Sequence, residues 1–535
     1  MSVIRKALDR SYALIDCSIH NNQHKQYEFK KQTILDDDSL TENEKFEAIR
    51  ILTKFYDIDK IFLNEGTKRI CESCNQECLA TLHCEHCVRN YLKANFSNWT
   101  SGNDNIDNLI RECQMKAVSP RLIPDWIPYN NFQNIKYLTK DGCSEIYTAT
   151  WINGRYDEWD SKEQRLERHG RQDVVLKKLE NVENANQRWF EETKSHLTIS
   201  IKWGEVVRCH GLTQDPSNGY YMLVMKKMNM DLRKYLQQNY NKLTWKKRTQ
   251  IVANIIISLY RVHNEKAIHR DLHSGNILIG NIFCISDLGF CGPADKPLKS
   301  IYGNLPYIAP EIIIGKEPTF KSDIYSIGML MWEVSSGQPP FINYEHNYDL
   351  AMNIVNGIRP KIVSGTPLEY KNLMKQCWDA DPSKRPVIKT LRNKIRNLNY
   401  FYQSKSNQPE ENNNNLEINS NINSLKNYTN STSKVYQFEN LSEPRNATEE
   451  ELEAFYSKSH NFCIPDNIDD FGKSVNQSDN DTLISKDVQN SNYYREELMQ
   501  QQRKHIDFDD ENEMHNNPNL HSEEQDELEI PDSKV

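Results

Sequence analysis

His269-Arg270-Asp271-Leu272-His273-Ser274-Gly275-Asn276, followed at once by Ile277-Leu278-Ile279, is the stretch on which the reading of this chain turns. Apolar residues at three and four spacing from Trp245 to His263 predict a helix leading into it. An Asp and an Asn five residues apart on one short loop put a proton-accepting carboxylate beside an oxygen ligand for a hard cation. Eleven residues past Asn276, Ile285-Ser286-Asp287-Leu288-Gly289 reads as an apolar strand ending in a second carboxylate and a turn glycine.

Upstream, Val174-Val175-Leu176-Lys177 reads as a strand ending in a lysine, and Glu192 comes next on a helix predicted over Asn184 to His196. Tyr220 to Met225 is a further strand, and helices are predicted at Lys321–Ser335 and Leu368–Trp378. Tyr307-Ile308-Ala309-Pro310-Glu311, then Ser322-Asp323-Ile324-Tyr325-Ser326-Ile327-Gly328, then Asp381-Pro382-Ser383-Lys384-Arg385-Pro386 complete the set. In this order and spacing the motifs resemble the eukaryotic protein kinases. The wording His273-Ser274-Gly275-Asn276-Ile277-Leu278 is similar to the tyrosine-kinase-like group, notably the expanded family of arbuscular mycorrhizal fungi.

The resemblance implies an α+β, bilobal protein-kinase fold, with a small strand-rich lobe before a larger helical one. It implies ATP and magnesium (or manganese) as cosubstrate and cofactor, and protein substrates phosphorylated on serine or threonine, with tyrosine kept open. Asp271 would be the catalytic base, Asn276 and Asp287 the magnesium ligands, and Lys177 the phosphate contact paired with Glu192. Leu138, Thr139, Ile146, Val175 and Met225 would line the nucleotide site. Glu311 and Arg385 would form a buried ion pair, and Asp323 would support the catalytic loop. Arg270 implies a phosphorylated activation segment, for which Ser300 and Tyr302 are the hydroxyls available before Tyr307.

The chain departs from the family pattern where a glycine-rich loop covers phosphate. Thr139, Asp141 and Ser144 stand for the three glycines, which normally let backbone approach phosphate oxygens without a Cβ. Asp141 adds a like charge, costing roughly 2–3 kcal/mol at 6–8 Å and an effective dielectric of about 20. The alternative expectation is therefore a pseudokinase scaffold with weakened nucleotide binding.

Cys71-x-x-Cys74 and Cys84-x-x-Cys87 are paired as in a zinc knuckle, with Cys78, His83 and His86 in reserve. Four protein thiolates make a closed, structural site. Leu40-Thr41-Glu42-Asn43-Glu44 offers a capped start to a helix through Phe46, Ile49 and Phe55. The expected organisation is a helical region 1–70, the knuckle 71–87, a linker 88–130, the kinase domain 131–400 and a disordered acidic tail 401–535. The stretch from Gly154 to Gln172 is expected to be a surface insertion.

The formal net charge of -9 is uneven, because residues 401–535 carry 28 acidic and 11 basic side chains. That leaves a mildly basic body, and the tail is expected to dock partners or to sit on the body as a brake. Scattered Lys and Arg around the knuckle form no basic stripe, so nucleic acid is not expected as a partner. No run of eighteen apolar residues or signal-type N-terminus is present, so a cytoplasmic, non-membrane location is expected.

Overall fold

The fold is taken from a computed structural model that describes residues 2–15, 19–141, 144–179, 188–280, 282–288, 301–404 and 433–458. These fall into two compact units divided between Ile49 and Arg50. In the first, helices α1 (Ser2–Ala13) and α2 (Gln23–Leu35) pack on each other, and Asn22 caps α2 by accepting from the Lys25 N–H. Helix α3 (Glu42–Leu63) starts at the expected capping box, in which the Thr41 N–H donates to Glu44 at 2.9 Å.

The second unit holds the remaining elements. A two-stranded ribbon, β1 (Arg69–Ile70) and β2 (Glu77–Cys78), leads into helix α4 (Glu85–Ala94) and then α5 (Asp104–Lys116). Six strands follow in one sheet: β3 (Asp125–Trp126), β4 (Phe132–Asp141), β5 (Ser144–Trp151), β8 (Gln172–Lys178), β9 (Cys209–Gln214) and β10 (Tyr221–Lys226). Between β5 and β8 the chain makes an antiparallel hairpin, β6 (Tyr156–Asp160) with β7 (Arg165–Arg168). Helix α6 (Arg188–Ser200) lies between β8 and β9 in sequence. Register across β4, β5 and β8 aligns Thr139 with Ile146 and Ile146 with Lys177, while Val175 pairs with Met225.

The helical lobe begins with the short strand β11 (Met230–Asp231), α7 (Leu232–Asn239) and α8 (Trp245–Asn264). Strands β12 (Ile277–Ile279) and β13 (Phe283–Ile285) pair beside β11, and β14 (Ile301–Gly303) and α9 (Pro310–Ile313) follow. Helices α10 (Phe320–Ser336), α11 (Tyr348–Val355), α12 (Leu368–Cys377) and α13 (Ile388–Ser404) complete the lobe. Its core gathers Ile251, Leu259, Leu272, Ile324, Trp332, Tyr370 and Leu391, all essentially buried. The predicted helix ends at Trp245, Lys321 and Leu368 agree with the observed ones to within a residue.

Three expectations need correction. The stretch 88–130, expected as a linker, holds most of α4, all of α5 and β3, and Ile106, Ile110 and Cys113 of α5 pack against Leu197 of α6 and Ile201 just past its end. The expected surface insertion is the β6–β7 hairpin, whose Trp159 and Leu166 are buried against the knuckle cysteines, Val88 and Leu92. The tail expected to stay disordered contains strand β15 (Lys434–Tyr436) and helix α14 (Glu449–Lys458), both seated on the helical lobe. In each case apolar residues thinly spread in polar sequence find partners far away along the chain.

Candidate active site

The loop from His269 to Asn276 is held by Asp323 of α10. Its carboxylate accepts from the His269 N–H at 2.8 Å and the Arg270 N–H at 3.0 Å, and also pairs with His263 at 2.8 Å. His269 is fully buried, its Nε2 lying 3.0 Å from the Ser286 carbonyl. Arg270 and Asp287 take left-handed backbone conformations, φ 70° and 41°, which turn the backbone sharply just where the Asp271 and Asp287 carboxylates are presented.

Pairing of β12 with β13 brings Asn276 and Asp287 to the same end of that ribbon, and the Ser286 N–H donates to the Asn276 carbonyl at 2.9 Å. The Asn276 side-chain amide donates to the Asp271 carbonyl at 2.9 Å, fixing the loop between these two residues. From the sheet, Lys177 Nζ reaches Glu192 Oε1 at 3.0 Å and Asp287 Oδ1 at 2.7 Å. Strand β8, helix α6 and the end of β13 thus converge on one ammonium. Leu288 follows Asp287 into the core, and its N–H points at His196 Nε2, 3.5 Å away.

Burial alone would lower the Lys177 pKa, but the carboxylates of Asp287 and Glu192 outweigh it and hold the ammonium well above its usual value. Burial likewise works against ionisation of Asp287, and the Lys177 charge overcomes it, keeping this carboxyl below the usual range. For Asp271 burial wins: its pKa is pushed up to about 6, against a hydrogen bond from Ser433 that acts the other way. His196 is driven down to about 3 by burial and the nearby Lys177, so it stays neutral. Lys177 thus keeps the Asp287 carboxyl ionised, while burial leaves Asp271 with a proton affinity close to neutrality.

The other nucleotide-lining candidates sit around this centre in register. Ile146 is opposite Lys177, Val175 opposite Met225, and Thr139 opposite Ile146, while Leu138 on β4 is exposed. Met225 is buried among Leu223, Leu212 and Cys209. Gly142, Gly289 and Ser300 lie outside the described residues, as does the side chain of Asp141. Tyr302 lies in β14, paired with Val435.

Sequence reasoning missed a buried polar floor beneath the loop. The Tyr307 hydroxyl donates to Glu333 at 2.6 Å, Arg233 donates to Ser274 Oγ at 3.1 Å, and Arg233 stands 3.7 Å from Glu333. The expected Glu311–Arg385 pair is fully buried and bidentate, with both bonds at 2.7 Å. Also unforeseen is Ser433, whose hydroxyl lies 2.6 Å from Asp271 Oδ2 and 3.2 Å from His273 Nε2.

The knuckle lies apart from this centre. The sulfurs of Cys71, Cys74, Cys84 and Cys87 stand within 4.8 Å of one another, Cys71 to Cys87 at 3.7 Å and Cys74 to Cys84 at 3.6 Å. Thiolates arranged tetrahedrally about 2.3 Å from zinc would be about 3.8 Å apart, so the donor set fits that ion. Cys78, His83 and His86 are not part of the grouping. Although burial opposes it, the N–H groups of Cys74 and Ser73 hold the Cys71 thiol down to about 6, while burial pushes the Cys84 and Cys87 thiols up. Asp57 of α3 accepts from the Thr81 and Leu82 N–H groups at 2.7 and 2.8 Å, fixing the loop between the cysteine pairs.

Lys177 is thus shared by a helix glutamate and Asp287, above a loop anchored on α10, and residues 135–395, just under half of the chain, are similar to the family model described as protein tyrosine and serine/threonine kinase. Among curated relatives, the dual serine/threonine and tyrosine protein kinase of Pimephales promelas is 30% identical over 232 residues, covering 41% of this chain and 25% of that protein. Its Homo sapiens counterpart is 30% identical over 220 residues, 39% of this chain and 23% of that protein. The probable serine/threonine-protein kinase roco5 of Dictyostelium discoideum is 24% identical over 404 residues, 71% of this chain and 13% of that protein. The aligned part thus spans a quarter or less of each relative. Among the described residues no helix is long and apolar enough to cross a membrane.

Proposed function

We propose that this chain transfers the terminal phosphoryl group of ATP to protein hydroxyls, serine and threonine first and tyrosine second. The observation that carries this reading is Lys177 bridging Glu192 and Asp287, the arrangement that keeps a phosphate-binding cation charged beside a metal ligand. Lys177 orients the α- and β-phosphates. Asp271 positions the acceptor hydroxyl and takes its proton, and a carboxyl raised to about 6 by burial is a better proton acceptor than an ordinary one. Asn276 and Asp287 offer an amide oxygen and an ionised carboxylate, the hard donors that suit magnesium or manganese, which would neutralise phosphate charge when bound. Leu138, Val175 and Met225 provide the apolar setting for the base, with Thr139 and Ile146 nearer the phosphates.

Replacement of glycines by Thr139 and Ser144 supports weak nucleotide affinity, while the intact charged set supports turnover over a purely scaffolding role. The knuckle would hold a structural zinc, and its free thiols suit a reducing compartment such as the cytoplasm. The phrase from His273 to Leu278 supports a place in the tyrosine-kinase-like group and its arbuscular mycorrhizal fungal expansion. The test is ATP–magnesium turnover on casein by wild type beside Asp271→Asn. The variant should be slower by about 10²–10⁴. Equal rates, or none above background for wild type, would overturn the reading.

A further inference from the structure

Strand β15 extends the activation segment as a docked peptide would. It pairs antiparallel with β14, Lys434 opposite Gly303, Val435 opposite Tyr302 and Tyr436 opposite Ile301. Main-chain pairing of this kind is a general way for a sheet edge to receive an extended peptide. One residue before that strand, Ser433 is buried, with its Oγ 2.6 Å from Asp271 Oδ2. The acceptor place of the proposed reaction is therefore filled by a residue of the same chain, with a hydroxyl on the atom that would receive the proton.

Anchors on the C-terminal side of Ser433 keep it there. Tyr436 is buried in the core of the helical lobe and stacks on Phe438 at 5.6 Å, and Phe438 meets Tyr348 edge-on at 6.3 Å. The Arg445 N–H donates to Val355 at 3.1 Å, and Asn446 bridges Ala380 and Asp379 at 2.9 and 3.0 Å. Gly357, at φ 91°, lets this backbone pass: a Cβ there would stand 2.1 Å from the Ala447 nitrogen. Phe455 of α14 stacks on Tyr344 at 5.7 Å. The ion pairs Lys316–Glu443 and Lys375–Glu449 are exposed and contribute little. Aromatic packing and strand pairing, more than tail acidity, seat this segment, residues 433–458, as a strap on the helical lobe.

An inert plug would need only shape at residue 433; a serine there presents the reacting atom. We propose that Ser433 is a modification site, the acceptor of an intramolecular phosphoryl transfer within this active site. The inference rests on the kinase reading of that site. The Ser433 Oγ forms a bond to the γ-phosphorus of ATP, the bond from that phosphorus to the β,γ-bridging oxygen breaks, and ADP leaves with that electron pair. The hydroxyl proton passes to Asp271. The product places a phosphate against a buried carboxylate, and like-charge repulsion then drives the end of the strap out.

The test uses purified full-length chain with magnesium and ATP, casein as added acceptor, phosphosite mapping across a hundredfold dilution, and Asp271→Asn as the control for contaminating kinases. Ser433 should be modified to about one phosphate per chain, with a first-order rate that dilution leaves unchanged, and Ser433→Ala should remove that modification while casein is still labelled. Labelled casein with unmodified Ser433, or a Ser433 rate that falls with dilution, overturns the proposal and leaves the kinase reading standing. No labelling of either brings down both. A nucleotide-free readout stands apart from turnover: in hydrogen exchange of the full chain, amides of 434–436 and 301–303 should be protected together, and become fast together in Ser433→Glu. Fast exchange of both in wild type means that the acceptor is not seated, and also overturns the proposal.

Discussion

The two flanks of the kinase-like region 135–395 grip it differently. The knuckle side buries Trp159, Leu166, Val88 and Leu92 around four thiols and packs α5 on α6, the helix that carries Glu192. The strap side lays a three-residue strand and a short helix over the helical lobe and ends in a serine at Asp271. One attachment is a continuation of the core, deep enough that losing it means losing stability. The other is a string of separate footholds, and a charge change at one end can undo it. Apolar burial supplies permanence; edge pairing supplies release.

Breaking the knuckle side should have the larger effect. Trp159→Ala, which removes a buried ring that meets Tyr91 edge-on at 5.8 Å, should cost about 3–5 kcal/mol, read from urea unfolding. Cys84→Ser, or a strong chelator on wild type, should abolish bound zinc by metal analysis and lower Tm by several degrees; full stability without metal would show that the thiols alone hold the fold.

On the strap side, Tyr436→Ala with Phe438→Ala should leave Tm within a few degrees while casein phosphorylation rises severalfold. A strap that matters for folding would instead give a large Tm loss. The smallest effect concerns pH. Activity should fall on the acid side as Asp271 takes up a proton near about 6, and Ser433→Ala, which removes a hydrogen bond favouring the carboxylate, should move that limb to higher pH in kcat/KM profiles. Stability runs the opposite way for this group. Its folded pKa, about 6, is above the usual 3.8, so its contribution is full below that usual value and is lost as pH rises through 6.

The convergence of the candidate site was legible because proton and metal chemistry demand fixed residue types at short spacing. Asp271, Asn276 and Asp287 sit on adjacent turns of chain, and Lys177 and Glu192 are only fifteen residues apart. Long amphipathic helices were legible for a related reason, since their signal is local. The hairpin was not: Tyr156, Trp159 and Leu166 are islands in charged sequence, and their partners Tyr91 and Leu92 lie far upstream. The strap was lost in averaging, because composition over 401–535 masked Val435, Tyr436 and Phe438 and the Thr448-x-x-Glu451 box, whose Thr448 N–H donates to Glu451 at 2.8 Å. Those two short signals could have marked an ordered island in the tail. Nothing local to Ser433 predicts its place beside Asp271, which is set by where Tyr436 and Phe438 anchor the chain.

Because β14 has a resident neighbour, an external protein competing for the same edge meets a gatekeeper tethered to its own host. Its apparent affinity is the intrinsic one scaled by the fraction of molecules whose edge is vacant, so vacancy in one molecule of a hundred weakens capture roughly a hundredfold. Discrimination among client proteins would then be set partly by how readily each exploits a rare opening, and not only by the sequence around its hydroxyl.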